Sequence, residues 1–171
     1  SVITQSGQIR GEIALPAKIC KNLKHRSAWL SNPKTRDILQ EWIDYRLKMK
    51  WGTGDPGEYM GLNPESRFLY SNRGRPYSLQ PKYAKLKSGE IREYQSCDAL
   101  QAMITDTYKK CGLFNASSHA GRKSLATNAA LKGVDIEDIA QILGHDSPQT
   151  TLEYIVIDEK RIREMYAAID I

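Results

Sequence analysis

At 171 residues with 40% hydrophobic content, the chain has the length of about one domain and enough apolar material for a packed core. Lysine and arginine outnumber aspartate and glutamate by 25 to 20, a formal net charge of +5 with a pI near 9.1, which suits a partner that carries phosphates. Cys20, Cys97 and Cys111 lie far apart and form no CxxC pair, which argues against a disulfide framework or a zinc site; with no run of about 18 apolar residues and no charged-then-apolar leader, neither secretion nor membrane spanning is expected, and a cytoplasmic location is the default.

In chain order, β-type runs from Glu12 to Cys20 and from Ser27 to Leu30 flank the basic stretch Lys21-Asn22-Leu23-Lys24-His25-Arg26, which predicts a β-hairpin with a cationic tip. Asn32 followed by Pro33 is an N-cap with proline at the first helical position. Ile38, Leu39, Trp42, Ile43 and Leu47 then recur at helical spacing, predicting a helix from about Pro33 to Lys50. The glycines and prolines of residues 52–63 predict a loop, Arg67 to Tyr70 a short strand, and residues 71–90 a basic, turn-rich stretch. A second helix is expected from Ser96 to Cys111, with Leu100, Met103, Ile104 and Tyr108 on one face and Gly112 closing it. A third is expected from about Ser118 to Lys132, stopped by Gly133. Asp135 caps a short fourth whose Ile136, Ile139, Ile142 and Leu143 point one way before Gly144. Ser147-Pro148 starts a turn or two of helix containing Tyr154, and a last helix runs from Asp158 to about Ala168. The expected class is therefore α+β, mainly helical, with one small β element near the N-terminus.

His119 and Arg122 are three apart, so on a helix they share a face and can converge on one anion. Alone, the pair describes an exposed helix face as readily as a site. In Leu143-Gly144-His145 the glycine ends a helix and thrusts the histidine into the following turn. Tyr154 is one of nine tyrosines, and a tyrosine on a short amphipathic helix ordinarily packs its ring and keeps its hydroxyl wet. The joint order and spacing of these groups shift the balance toward a site.

Ser118-His119-Ala120-Gly121-Arg122-Lys123-Ser124, then Leu143-Gly144-His145, then Thr150-Thr151-Leu152-Glu153-Tyr154 resembles the H-x-x-R, L-G-H and T-T-x-x-Y signature of tyrosine recombinases of the phage-integrase family, with the tyrosine nine residues after His145. Ala126-Thr127 and Gly133-Val134-Asp135 are similar to the family pattern as well. The likeness is close over residues 117–165 and loose over the rest. It implies that family's catalytic-domain fold, double-stranded DNA as substrate, a homo-oligomer (a tetramer on DNA), and no cofactor or metal. It further implies that Tyr154 is the nucleophile, that Arg122, His119 and His145 assist it, and that Lys21 is the general acid, with Lys24 the competing candidate.

The chemistry is consistent with those assignments. A free phenol has a pKa of about 10, so roughly one in a thousand is ionised near neutral pH, and cations are needed around it. A phosphodiester attacked in line gains charge on its non-bridging oxygens, which suits the planar fork of Arg122 and ring donors from two histidines. The departing 5′ oxygen takes a proton, which a hairpin lysine supplies. The implied product is a 3′-phosphotyrosyl enzyme with a free 5′ hydroxyl, whose conserved bond energy allows rejoining to another strand.

The family pattern includes one more arginine in a G-L-R-x-x-E-like helix start upstream of the hairpin lysine. Gly7-Gln8-Ile9-Arg10-Gly11-Glu12 does not match it, because its offsets differ and Arg10 lies only 11 residues before Lys21. The chain is thus expected to be a single catalytic domain over residues 1–171 that lacks this arginine and the family's N-terminal DNA-clamping domain, and to be inactive or weakly active by itself. Gly121 lowers helix propensity by about 1 kcal/mol relative to alanine. DNA-contact candidates are Lys24, Arg26, Arg73, Arg75 and Lys123, with Lys82, Lys85, Lys87 and Arg92 in the basic stretch interleaved by Tyr77 and Tyr83. The alternatives are a catalytically incomplete DNA-binding module derived from a recombinase and a type IB topoisomerase.

Overall fold

A computed structural model describes residues 1–20, 25–85, 88–156 and 159–168, the side chains at 18, 159–161 and 165 excepted. The chain divides into two compact units, Ser1–Ala102 and Met103–Ile171.

In the first unit, β1 (Glu12–Leu15) pairs antiparallel with β2 (Arg26–Trp29), Glu12 opposite Trp29 and Leu15 opposite Arg26. The hairpin is there, but its first strand is shorter than the predicted 12–20. Pro16 cannot donate to a ladder, and the chain turns into a 3₁₀ helix at Ala17–Ile19. Most of the predicted cationic tip, including Lys21 and Lys24, lies outside the described residues.

The helix α1 (Pro33–Met49) matches its prediction. The Asn32 side chain accepts from the Thr35 backbone N–H at 3.3 Å, Pro33 occupies the first turn, and Lys50 closes the helix in the left-handed region at φ 58°. Ile43 is fully buried against Ile3 and Leu62, while Ile38, assigned to the same apolar stripe from spacing, is 65% exposed. Arg46 takes the buried position instead. Its guanidinium donates to the carbonyls of Trp51 and Phe68 at 3.2 and 3.4 Å and to Ser66 Oγ at 2.9 Å, and its central carbon sits 4.7 Å from the Tyr70 ring centre. Burial pushes Arg46 below the usual arginine range, and Tyr70 partly offsets this. The cation thereby ties the loop that follows α1 back onto the helix. Gly52 is required there, because a Cβ would stand 2.4 Å from the Tyr70 hydroxyl and 2.6 Å from Arg46.

Arg67 to Tyr70 is not a strand; Tyr70 makes only an isolated bridge to Pro76. The stretch expected to be turn-rich, residues 71–90, instead contains the strand β3 (Gln80–Lys85), which pairs antiparallel with β4 (Ile91–Ser96) just beyond it to form a second hairpin. None of its residues is fully buried, Tyr83 is 68% and Ile91 69% exposed, and the half-buried positions on β3 are Lys82 and Ala84, so the apolar alternation that marks a half-buried strand is absent. Lys82 and Asp98 form an ion pair at 2.6 Å beside it.

The helix α2 (Asp98–Lys110) crosses the division between units. In the second unit, α3 (Ala120–Leu131), α4 (Ile136–Leu143), α5 (Pro148–Leu152) and α6 (Glu159–Ala167) follow in order. Ala126 of α3 packs on Ile139 and Leu143 of α4, with Ala129, Ala130, Ile136, Tyr154 and Ile155 around them. Asp135 stands at the α4 N-cap, although its side chain makes no cap hydrogen bond. Ile139 is fully buried, so Ile139→Val is expected to lower unfolding free energy by about 1 kcal/mol in urea titrations, the usual cost of one buried methylene.

Candidate active site

The site gathers within the second unit, where three short helices end or begin. Gly144 closes α4 at φ 66°, a conformation that suits glycine, and the His145 backbone N–H bonds back to the Ala140 carbonyl at 2.8 Å. This reversal places the His145 ring beside α3 and α5. Arg122, half-buried in the first turn of α3, reaches the same point: its Nη2 donates to the Leu143 carbonyl and stands 3.5 Å from His145 Nε2.

The other ring nitrogen, His145 Nδ1, lies 2.9 Å from Thr151 Oγ1. Ser147 caps α5, accepting from the Thr150 backbone N–H, and Pro148 fixes the first turn. Thr151, one turn on, is fully buried.

Tyr154 was expected inside this helix, but α5 ends at Leu152 and Tyr154 lies in the turn that follows. Its backbone N–H bonds to the Thr151 carbonyl at 2.9 Å, and Thr127 Oγ1 on α3 donates to the Tyr154 carbonyl at 3.4 Å while accepting from the Val156 N–H at 3.0 Å. Those bonds to α3 draw the chain out of helical geometry. They also fix the ring, which meets His145 edge-on at 4.6 Å between ring centres and 60° between planes.

Arg122, His145 and Tyr154 therefore form one cluster. His119 stands exposed at the α3 N-cap position, and among the described residues its ring makes no hydrogen bond to the other three. Lys123 is exposed on α3. In the first unit, Arg73 and Arg75 are exposed in the tight turn closed by the Ser71 and Arg75 backbones, and Arg26 is half-buried at the start of β2 with its Nε lacking a hydrogen-bond partner among the described residues. Sequence reasoning missed Thr127, Thr151 and the Leu143 carbonyl. Both threonines were in view as spacing markers, and the signal of a role was that each lies within one or two turns of a group assigned to the chemistry.

A guanidinium and a phenol that each meet the same imidazole can hold an oxyanion and present a nucleophilic oxygen to it. Among the described residues, no group of three His, Cys, Asp or Glu side chains is arranged to hold a metal ion, and no helix is long and apolar enough to cross a membrane.

The phage integrase family matches this chain over residues 7–161. Tyrosine recombinase XerC of Bradyrhizobium diazoefficiens is 43% identical over 54 residues, covering 32% of this chain and 17% of that protein. Tyrosine recombinase XerC of Syntrophus aciditrophicus is 25% identical over 146 residues, covering 85% of this chain and 40% of that protein. A crystal structure of XerA recombinase shares the fold at a TM-score of 0.60 and 24% identity, over 96% of this chain and 49% of that one. The chain thus spans less than half the length of each of these relatives.

Proposed function

The chain belongs to the phage integrase family, and from that premise we propose that residues 1–171 supply the catalytic domain of a site-specific DNA recombinase acting through a 3′-phosphotyrosyl intermediate. The observation that carries this reading is the contact of the Tyr154 ring with His145, itself beside Arg122. Tyr154 Oη attacks the scissile phosphorus and forms the O–P bond as the bond to the 5′ oxygen breaks. Arg122, with His119 and His145 as further donors, neutralises the non-bridging oxygens. Lys21 gives its proton to the leaving 5′ oxygen, so the nicked strand ends in a 5′ hydroxyl. Rejoining reverses these steps with a different 5′ hydroxyl. Lys24, Arg26, Arg73, Arg75 and Lys123 contact DNA phosphates, and the working assembly is a tetramer on double-stranded DNA.

The test uses the full-length gene product and a suicide DNA substrate in which a nick near the cleavage point lets the 5′ fragment diffuse away. A covalent protein–DNA adduct is expected, and its absence would overturn the reading. Lys21→Ala is expected to slow cleavage of ordinary phosphodiester by about 10² to 10⁴, the usual contribution of a general acid. A substrate with sulfur in place of the bridging 5′ oxygen should restore the rate, because a thiolate leaves without a proton. Rescue of Lys24→Ala instead would move the general-acid role to Lys24.

A further inference from the structure

Thr151 is the fully buried polar side chain among the described residues of the second unit, and it touches both His145 and Tyr154. Its hydroxyl lies 2.9 Å from His145 Nδ1, and its carbonyl accepts from the Tyr154 backbone N–H at 2.9 Å.

Two of the ring's neighbours, Arg122 and Thr151, bear on which nitrogen carries its proton. Arginine carries donors and no acceptor, so Arg122 Nη2, 3.5 Å from His145 Nε2, faces a lone pair there rather than another N–H. In the free site the His145 proton accordingly sits on Nδ1, and Thr151 Oγ1 accepts it. A phosphate oxyanion beside His145 reverses the demand: an oxygen bearing charge needs an N–H from Nε2. The ring then carries its proton on Nε2 and presents a bare Nδ1 to Thr151. The exchange takes one proton off Nδ1 and puts one on Nε2, with solvent at the half-buried ring as sink and source. A carbonyl or carboxylate at position 151 would only accept, and would hold the ring in its first state. A hydroxyl accepts or donates after rotation about a single bond, with no movement of heavy atoms.

We infer that Thr151 is a positioning residue that serves both tautomers of His145, accepting from Nδ1 in the free site and donating to Nδ1 when Nε2 turns its proton toward the scissile phosphate. The inference rests on the recombinase reading above and names a residue that acts through His145 without touching substrate. Full burial of Thr151 keeps water from replacing the hydroxyl.

Three measurements on the full-length protein test this. In Thr151→Val, which keeps the shape and removes the hydroxyl, adduct formation on the nicked substrate is expected to slow about 10-fold, and in Thr151→Ser to stay within about threefold of the unsubstituted protein. DNA affinity should be unchanged in both, since position 151 contacts no phosphate. Nitrogen-15 shifts of the His145 ring are expected to show the proton on Nδ1 in the DNA-free protein, unsubstituted or Tyr154→Phe, and on Nε2 in the complex that Tyr154→Phe forms with uncleaved substrate. A Val variant as fast as the parent, a Ser variant as slow as the Val variant, or a free protein with its proton on Nε2 would each overturn the inference. The nitrogen measurement decides the matter even if Thr151→Val fails to fold. An adduct that persists in Tyr154→Phe would instead overturn the recombinase reading, whatever the outcome at Thr151.

Discussion

In Tyr154→Phe, the covalent adduct on a suicide substrate is expected to vanish, with strand cleavage falling on the order of 10⁶-fold, as when a catalytic nucleophile is deleted. The substitution removes one oxygen and leaves the ring. That ring contributes to the packing of Ala126, Ile139 and Leu143 and meets His145 edge-on, and both contacts survive in phenylalanine. The melting temperature and DNA affinity are therefore expected to stay close to those of the parent, which separates lost chemistry from lost fold. The second unit holds two other tyrosines. Tyr108 lies near the start of α3, its hydroxyl 3.5 Å from where a Cβ on Gly121 would stand, and Tyr166 is 69% exposed on α6. Peptide mapping of the trapped adduct should place DNA on the peptide carrying Tyr154. DNA found on Tyr108 or Tyr166 would sink the assignment.

The helices could be read in advance because their ends are written in local chemistry. Asn32-Pro33 opens α1, and Gly112, Gly133 and Gly144 take positive φ just after α2, α3 and α4. These signals act within one turn and do not depend on what the helix packs against. The features that escaped depend on partners distant in sequence. Spacing put Ile38 on the buried stripe of α1, yet Arg46 is what the loop carbonyls of residues 51–68 draw inward. The β3–β4 hairpin has no buried face, so nothing in its residue pattern sets it apart from a polar loop. For the candidate site, order and spacing gave the residues but not their geometry. Tyr154 was expected on a helix because Ser147-Pro148 starts one. It leaves that helix because Thr127, 27 residues earlier, holds its carbonyl. The pairing of Thr151 with His145 is likewise visible only once α5 is folded back beside the Gly144 turn.

Arg122 is expected to be the second most sensitive position, because it joins structure to chemistry through one nitrogen. Its Nη2 donates to the Leu143 carbonyl at the C-terminal end of α4, where helix carbonyls lack intrahelical partners and the helix dipole favours a cation. That anchor orients the planar fork, leaving its remaining donors for an oxyanion. Arg122→Ala should slow adduct formation by about 10² to 10³, the usual effect of deleting one transition-state donor. It should also lower stability by about 1 to 3 kcal/mol, since a charged hydrogen bond to a partly buried carbonyl is lost. Arg122→Lys distinguishes the two contributions. A lysine ammonium keeps the charge but offers no fork, so it can hold the Leu143 carbonyl or meet the phosphate and not both in the arginine geometry. Urea titration of the lysine variant is therefore expected to recover much of the stability, while single-turnover cleavage, measured well below the melting temperature and at saturating DNA, stays close to the alanine rate. If lysine restored the rate together with the stability, position 122 would need only a positive charge, and the fork would have no part in holding the phosphate.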